Sequence, residues 1–154
     1  ILALRGDKVP GVDPKNDFIH AVDLIKFIRE KTDRKFKIYA ACYPEGHTES
    51  SDFDADINFL KAKVDAGVDG LITQLFFDND HFYYFIEKIR ALGINVPVEA
   101  GIMPVTKKKQ IERMVNICGA SLPQFIEFAL EKKYPLSASF SRQSSSPNIA
   151  FTPV

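Results

Sequence analysis

Polar side chains with acid–base or hydrogen-bonding chemistry follow several short apolar runs of this chain. The clearest cases are Arg5-Gly6-Asp7, Tyr43-Pro44-Glu45-Gly46-His47 and Gln74, each at the end of a strand-like segment. The first segment supplies a cation and a carboxylate, the second an imidazole that titrates near neutral pH, and Gln74 a carboxamide. Because α/β proteins place their chemistry in the loops after parallel strands, the pattern predicts a small-molecule active site.

Each of these motifs also has a plain structural explanation. Arg5-Gly6-Asp7 would serve equally as a surface turn, and the segment from Tyr43 to His47 as an ordinary strand-to-helix loop. A carboxamide at position 74, on a strand buried on both faces, needs a partner or a ligand. Gln74 is therefore explained as well by a structural hydrogen bond as by substrate binding.

Other polar clusters do not fit a ligand site. Asp52, Asp54 and Asp56 alternate like calcium ligands, but the glycine and the glutamate of a calcium loop are missing from this segment. The lysines at 107–109 are typical of a solvated helix face. The sequence contains neither a Gly-rich phosphate-binding loop that ends in Lys-Ser/Thr nor a Gly-x-Gly-x-x-Gly turn. The sequence therefore predicts no metal site and no nucleotide binding by those two loops.

Composition limits the class of protein. The chain has 154 residues, of which 45% are hydrophobic, and its 20 basic and 20 acidic side chains cancel. That size suits one domain, and zero net charge argues against nucleic acid or a membrane as partner. Apolar runs are too short for a membrane span, and no leader sequence opens the chain. Cys42 and Cys118 are expected to be small buried thiols in a reducing, cytoplasmic compartment.

Strand and helix patterns alternate from Ile1-Leu2-Ala3-Leu4, a strand without a preceding loop, which predicts a fragment boundary. Helices are predicted at 16–31, with a stripe that includes Phe18, at 52–67, at 80–92 and after an N-cap at Thr106. Ser51 and Asp80 are the predicted caps of the second and third helices, and Gly67 and Gly93 their terminators. Further strands are predicted at 36–42, 69–75 and 96–102, the last with Pro97 near its start.

The fold class follows from the spacing of these elements. Successive strands begin about 30 residues apart, the size of one strand-plus-crossover-helix unit, which predicts a parallel sheet. About four such units make an α/β protein that is either a partial (β/α)8 TIM barrel or a doubly wound sheet. The predicted domain covers residues 1–132, and residues 133–154 form a serine-rich flexible tail.

The ordered series of motifs resembles the methylenetetrahydrofolate reductase family over roughly the first 130 residues. The matching segments are Leu4-Arg5-Gly6-Asp7, Tyr43-Pro44-Glu45-Gly46-His47, Lys63-Val64-Asp65-Ala66-Gly67, Ile72-Thr73-Gln74-Leu75-Phe76-Phe77-Asp78 and Gly101-Ile102-Met103-Pro104-Val105. The resemblance implies a barrel enzyme of one-carbon and methionine metabolism, with FAD as cofactor and NADPH or NADH as hydride donor. Its substrate would be 5,10-methylenetetrahydrofolate and its product 5-methyltetrahydrofolate. The full-length enzyme is expected to be a homo-oligomer.

The resemblance also assigns roles to single residues. Asp7 is the expected catalytic residue, lying near both flavin and folate, where a carboxylate stabilises the 5-iminium cation formed on ring opening. Gln74 and Gln110 match folate-binding positions, since a carboxamide offers the pterin a donor and an acceptor. The positions implied to bind FAD are Arg5, Gly6, Asp7, His20, Ala21, Tyr43, His47, Ser50, Asp56 and Lys63.

The chain departs from the family pattern at several places. Phe59 and Ala62 stand where bacterial relatives carry a polar and a basic residue, and Met114 where some relatives carry phenylalanine. By the same resemblance, the general-acid glutamate lies on a strand before residue 1. The alternative is therefore a truncated, inactive fragment that binds flavin or a partner subunit weakly. An unrelated aldolase-type barrel would need a Schiff-base lysine or a metal-ligand set, and neither is visible.

Overall fold

A computed structural model of the chain describes residues 1–6, 11, 17–104 and 107–131. Asp7, Thr106 and the serine-rich segment at 133–154 lie outside the described residues. Within them, strands and helices alternate along the chain. Their bounds, in chain order, are β1 Leu2–Ala3, α1 Ala21–Thr32, β2 Tyr39–Cys42, α2 Phe53–Asp65, β3 Gly70–Thr73, α3 Asn79–Ala91, β4 Val98–Glu99, α4 Lys108–Cys118 and α5 Gln124–Glu131.

The four strands form one parallel sheet in the order β1-β2-β3-β4. Each strand therefore pairs with the next strand along the chain. A doubly wound sheet reverses its strand order at a switch point, whereas a barrel keeps its strands in sequence. The sequential order confirms the partial (β/α)8 barrel and rejects the doubly wound alternative.

The hydrophobic core lies between the sheet and the helices that cover one of its faces. Strand residues such as Ala40 and Leu71 meet Ile25 of α1, Ile57 of α2 and Phe85 of α3, and all five are fully or almost fully buried. Because one face of each strand packs against these helices, the opposite face is available to the barrel interior. The core residues are Ala3, Ile25, Ile38, Ala40, Cys42, Ile57, Leu60, Val68, Leu71, Phe85, Ile89 and Ile94.

Helix α2 confirms its predicted span and apolar stripe, but its cap is Asp52 rather than Ser51. The Asp52 carboxylate accepts a hydrogen bond from the Ala55 amide at 2.7 Å, and the Ser51 hydroxyl donates to the same carboxylate. Helix α3 begins after Asp78, whose carboxylate accepts from the Asp80 amide, so the predicted cap at Asp80 is also wrong. In both cases the side chain that reaches the first exposed amides fixes the start of the helix.

Other predicted boundaries also shift. Helix α1 begins at Ala21 with His20 as its N-cap, so Phe18 lies before the helix and not on its stripe. Leu92, the last residue of the helix predicted at 80–92, is the exposed C-cap of α3. Lys107 holds the N-cap position of α4. Helix α5 was not predicted at all, because its short apolar segment gives too little periodicity.

The observed strands are shorter than the predicted ones, since only residues that pair across the sheet count as strand. The predicted strand at 96–102 reduces to Val98–Glu99, directly after Pro97. The Pro97 carbonyl still accepts a hydrogen bond from the Leu71 amide at 2.8 Å. Cys42 is buried as expected, whereas Cys118 is half-buried, and neither forms a disulfide.

A part-buried ion pair joins the amino ends of β2 and β3. The Arg29 guanidinium donates to the Asp69 carboxylate at 2.5 Å and to the carbonyls of Gly67 and Phe36, while the Ile38 amide donates to Asp69 at 2.8 Å. Burial alone would raise the pKa of Asp69, but these hydrogen bonds and the guanidinium charge hold it below its ordinary value. The pair therefore stabilises the end of the sheet that faces away from the predicted site.

Candidate functional site

A cavity of about 520 Å³ lies at the carboxyl ends of β1, β2 and β3. The loops that follow these strands line it, together with the start of α1 and one side of α2. Among the lining residues are ten that the sequence analysis named, namely Arg5, Gly6, His20, Ala21, Tyr43, His47, Ser50, Asp56, Lys63 and Gln74. The parallel sheet therefore brings together residues that lie far apart in the sequence.

The loop after β1 contributes a cation and a turn. The Arg5 guanidinium forms an ion pair with Glu49 at 2.8 Å, and its Nε donates to the Gly6 carbonyl at 3.2 Å. Gly6 has a φ of +81°, a left-handed conformation that glycine adopts without steric cost. Glu49 also lines the cavity, and the sequence analysis missed it because nothing in its spacing pointed to Arg5.

The loop after β2 presents an aromatic pair to the cavity. The Tyr43 and His47 rings meet edge to face with centroids 4.5 Å apart. His47 Nδ1 accepts a hydrogen bond from the Glu49 amide at 3.1 Å. In the neutral imidazole the proton is therefore on Nε2, which is available as a donor. Gly46, at φ +86°, closes the turn between the two rings.

The Lys63 ammonium and the Asp56 carboxylate also line the cavity. Lys63 Nζ donates to the Ala41 carbonyl at 2.9 Å and lies 5.7 Å from the centroid of the Tyr43 ring. The Ser50 hydroxyl donates to Asp56 Oδ1 at 3.2 Å. Helix α2 positions both charged groups, because Asp56 and Lys63 lie two turns apart on one side of it.

Burial shifts the protonation equilibria of these groups. It lowers the pKa of Lys63, a shift that the nearby Asp56 carboxylate partly opposes. It raises the pKa of Asp56, and here the Lys63 ammonium is the chief opposing influence. Burial also raises the pKa of the Cys42 thiol to about 12. Each shift disfavours the charged form, as expected for groups withdrawn from water, so the site holds charge at a cost to stability.

Gln74 directly follows β3 and is held by its own backbone. Its amide donates to the Cys42 carbonyl at 2.7 Å, which extends the pairing of β2 and β3. Its side-chain Oε1 accepts a hydrogen bond from the Leu75 amide at 2.9 Å. Because that oxygen already has a partner, the side-chain nitrogen is the group that remains to donate to a ligand.

An aromatic wall closes the cavity where α1 and α2 begin. The His20 and Phe59 rings lie with centroids 6.1 Å apart at a 32° tilt, and Phe59 remains more than half exposed. The apolar floor consists of Leu2, Ala41 and Ile72. The cavity therefore combines flat apolar surfaces with a few polar groups, the usual chemistry of a small-molecule site.

One expected site residue, Gln110, does not join this arrangement, and Asp7 stays a prediction. Asp7 follows Gly6 but lies outside the described residues. Gln110 lies on α4 with an exposed side chain, and it is not among the residues that line the cavity. Within the described ranges, no group of three His, Cys, Asp or Glu side chains is arranged to hold a metal ion. Over the same ranges, no helix is long and apolar enough to cross a membrane.

Comparison with known proteins gives a consistent family. A family model described as methylenetetrahydrofolate reductase matches residues 1–135. Methylenetetrahydrofolate reductase 1 of Schizosaccharomyces pombe is 42% identical over 127 residues, which are 80% of this chain and 21% of that protein. A probable methylenetetrahydrofolate reductase (NADPH) of Caenorhabditis elegans is 41% identical over 85% of this chain and 20% of its own. Methylenetetrahydrofolate reductase (NADH) 1 of Arabidopsis thaliana is 40% identical, and the match covers 85% of this chain and 24% of that protein.

A solved structure supports the fold. An uncharacterised protein from Clostridium thermocellum that binds two copies of 5-methyl-5,6,7,8-tetrahydrofolic acid superposes with a TM-score of 0.59. The match covers 87% of this chain and 50% of that one at 20% identity, so it bears on architecture alone. The chain spans about a fifth of the length of the curated relatives described above.

Proposed function

The chain belongs to the methylenetetrahydrofolate reductase family, and from this premise we propose that it forms part of the active site that reduces 5,10-methylenetetrahydrofolate to 5-methyltetrahydrofolate. The observation that carries the proposal is the cavity at the strand ends, because it gathers the implied FAD-binding side chains on one surface. Relatives named for NADPH and for NADH support a nicotinamide cofactor as the hydride donor. A cytoplasmic location and a homo-oligomeric full-length enzyme belong to the same proposal.

The residues of the cavity fit a flavin dinucleotide. Its volume of about 520 Å³ falls within the range of small-molecule sites. Lys63 supplies a positive charge for the diphosphate and His47 Nε2 a hydrogen-bond donor, while the Ser50 oxygen, whose proton goes to Asp56, can accept a hydrogen bond from a ribose hydroxyl. When bound, FAD would carry the hydride from the nicotinamide to the folate. The chain's own residues bind it, orient it and exclude water from one of its faces.

The Gln74 carboxamide and the Asp7 carboxylate act on the folate in this proposal. The Gln74 nitrogen donates to the pterin edge, since its oxygen is already bonded to the Leu75 amide. Asp7 supplies the negative charge that stabilises the 5-iminium cation in a poorly hydrated site. Gln110 completes pterin binding only if α4 presents it to the substrate. In the described structure its side chain is on the exposed surface of that helix.

A second candidate is an inactive fragment that binds flavin or a partner subunit weakly. The two candidates differ in one measurable property, since only the first predicts a bound flavin that the nicotinamide cofactor reduces.

The test is an absorbance spectrum of the purified 154-residue chain with FAD, followed by anaerobic NADH or NADPH. A flavin spectrum that bleaches on addition of either nucleotide supports the reductase. A bound flavin that stays oxidised supports the fragment. A chain that binds no flavin contradicts the first candidate, and the fragment is then supported if a chain extended at both ends binds a reducible flavin.

Asp7→Asn then separates the two half-reactions. We expect a loss of about 100-fold in folate turnover and little change in flavin reduction by the nicotinamide, because the stabilised cation forms only on the folate. Asp33→Asn is the matched control, since Asp33 is exposed at the far end of α1 and asparagine tolerates its left-handed φ of 44°. Equal losses in both half-reactions would contradict the electrostatic role of Asp7.

A further inference from the structure

Glu45 is a buried carboxylate that the proposed reaction does not use. Its side chain is 14% exposed, and Oε2 accepts a hydrogen bond from the Ser121 amide at 2.9 Å. His81 Nε2 lies 3.8 Å from the same oxygen, beyond hydrogen-bonding distance. The other oxygen, Oε1, is buried and has no hydrogen-bond partner among the described residues. A buried acceptor without a partner costs about 1–3 kcal/mol, so Oε1 calls for an explanation.

Glu45 borders a narrow crevice beside the main cavity. The crevice has a volume of about 10 Å³, close to the space that one water molecule needs. The loops after β2 and β3 meet there with the end of α4, which contributes Cys118, and with Gly119 and Ala120 that follow it. Tyr43 and Gln74 line both the crevice and the main cavity, so the two spaces share a wall.

The hydrogen-bonding groups at this wall are complementary to one water. Glu45 Oε1 is an acceptor, and the Gln74 side-chain nitrogen is a donor because its oxygen is bonded to the Leu75 amide. Water can donate to the first and accept from the second. The nitrogen has two N–H bonds, so one is left for a ligand in the main cavity.

We propose that Glu45 is a positioning residue, which binds one water in the crevice and through it holds the Gln74 carboxamide in a fixed orientation toward the substrate. The inference rests on the proposed function for the identity of the substrate, a pterin. Glu45 also anchors the loop from Tyr43 to His47 to the turn before α5, because its second oxygen bonds to Ser121. Glu45 thus fixes this loop through Ser121 and orients the Gln74 side chain through the water.

Side-chain amide NMR of the ¹⁵N-labelled chain tests the proposal without any ligand. The Gln74 pair of signals is identified by its disappearance in Gln74→Glu. We expect a resolved pair, shifted from free glutamine, in the wild type and in Glu45→Gln, because a glutamine keeps an acceptor for Ser121 and a bond to the water. In Glu45→Ala the pair should move to free-glutamine positions. Glu87→Ala, an exposed change on α3, is the control and should leave the Gln74 signals unchanged.

Unchanged Gln74 signals in Glu45→Ala would overturn the proposal. If Glu45→Ala does not fold, a high-resolution crystal structure of the wild type decides, because a water within about 3.2 Å of both Glu45 Oε1 and the Gln74 side chain is required. In the active enzyme, Glu45→Ala should raise the KM for folate about tenfold and leave flavin reduction by the nicotinamide unchanged. If the Gln74 signals and the water behave as expected but the protein never binds folate, the proposed function is refuted and the role of Glu45 in orienting Gln74 stands.

Discussion

Replacing Lys63 with methionine separates stability from flavin binding. In the folded protein, Lys63 Nζ donates to the Ala41 carbonyl and lies over the Tyr43 ring. Burial lowers the pKa of Lys63, so the folded protein holds this charge against a desolvation cost. A residue that costs stability and yet lies in a cavity wall is typical of a binding site.

The size of each effect follows from these contacts. Lys63→Met loses a hydrogen bond and a cation–π contact, worth about 1 kcal/mol each, together with the attraction to Asp56, and gains relief from the desolvation of the ammonium. We therefore expect the free energy of unfolding to change by less than about 1.5 kcal/mol. A hydrogen bond from an ammonium to a phosphate is worth about 1.5–3 kcal/mol, so the Kd for FAD should rise about 10- to 150-fold.

Flavin fluorescence titration and urea denaturation measure the two quantities on the same samples. Lys61→Met is the matched control, because Lys61 lies two residues away on α2 and pairs with Asp65 on the exposed surface. It makes the same change in net charge and should alter the Kd less than twofold. The reasoning is refuted if Lys63→Met binds FAD like the wild type, or if Lys61→Met weakens binding to the same extent.

Four further substitutions test the framework and the buried Asp56 carboxyl. Arg29→Ala should lower the free energy of unfolding by about 1.5–3 kcal/mol in urea denaturation, because it removes a part-buried ion pair with Asp69 and the hydrogen bonds to the carbonyls of Gly67 and Phe36. The pKa of Asp69 is lowered on folding, so its stabilisation is present above about pH 3.9 and lost as the pH falls through the folded pKa; Asp69→Asn should flatten this part of the pH profile. The pKa of Asp56 is raised, so its carboxylate costs stability at neutral pH; Asp56→Asn should raise the urea midpoint at pH 7 and have a smaller effect at pH 3. Gly101→Ala should destabilise by about 1–3 kcal/mol in thermal or urea unfolding, since its Cβ would overlap the Thr73 carbonyl oxygen.

Local pattern predicted the helices well where one face is buried against the sheet. The stripe of α2 is correct because Ile57 and Leu60 do meet the core. Caps and strand ends moved by a few residues, since they depend on which side chain reaches which amide. Asp52 rather than Ser51 caps α2 for that reason. Ser51 and Asp52 are adjacent and both are good N-cap residues, so the sequence alone does not decide which of them caps α2.

The location of the site followed from topology rather than from any one motif. Residues after successive parallel strands meet at one edge, and this rule brought His47 and Gln74 together as expected. The choice between a barrel and a doubly wound sheet depends on strand order, which no local pattern contains. Contacts between loops, such as Arg5 with Glu49, depend on that order too and were missed.

Cys42 lies beneath the cavity, and its thiol is both shielded by the core and protonated at ordinary pH, because burial raises its pKa to about 12. Thiol reagents react with the thiolate, so the native protein resists modification at this position. Labelling of Cys42 requires β2 to separate from its covering helices, and the labelling rate then reports how often this happens. The rate of Cys42 labelling, followed by mass spectrometry, therefore measures how often the structure beneath the site opens. Half-buried Cys118 serves as the internal reference.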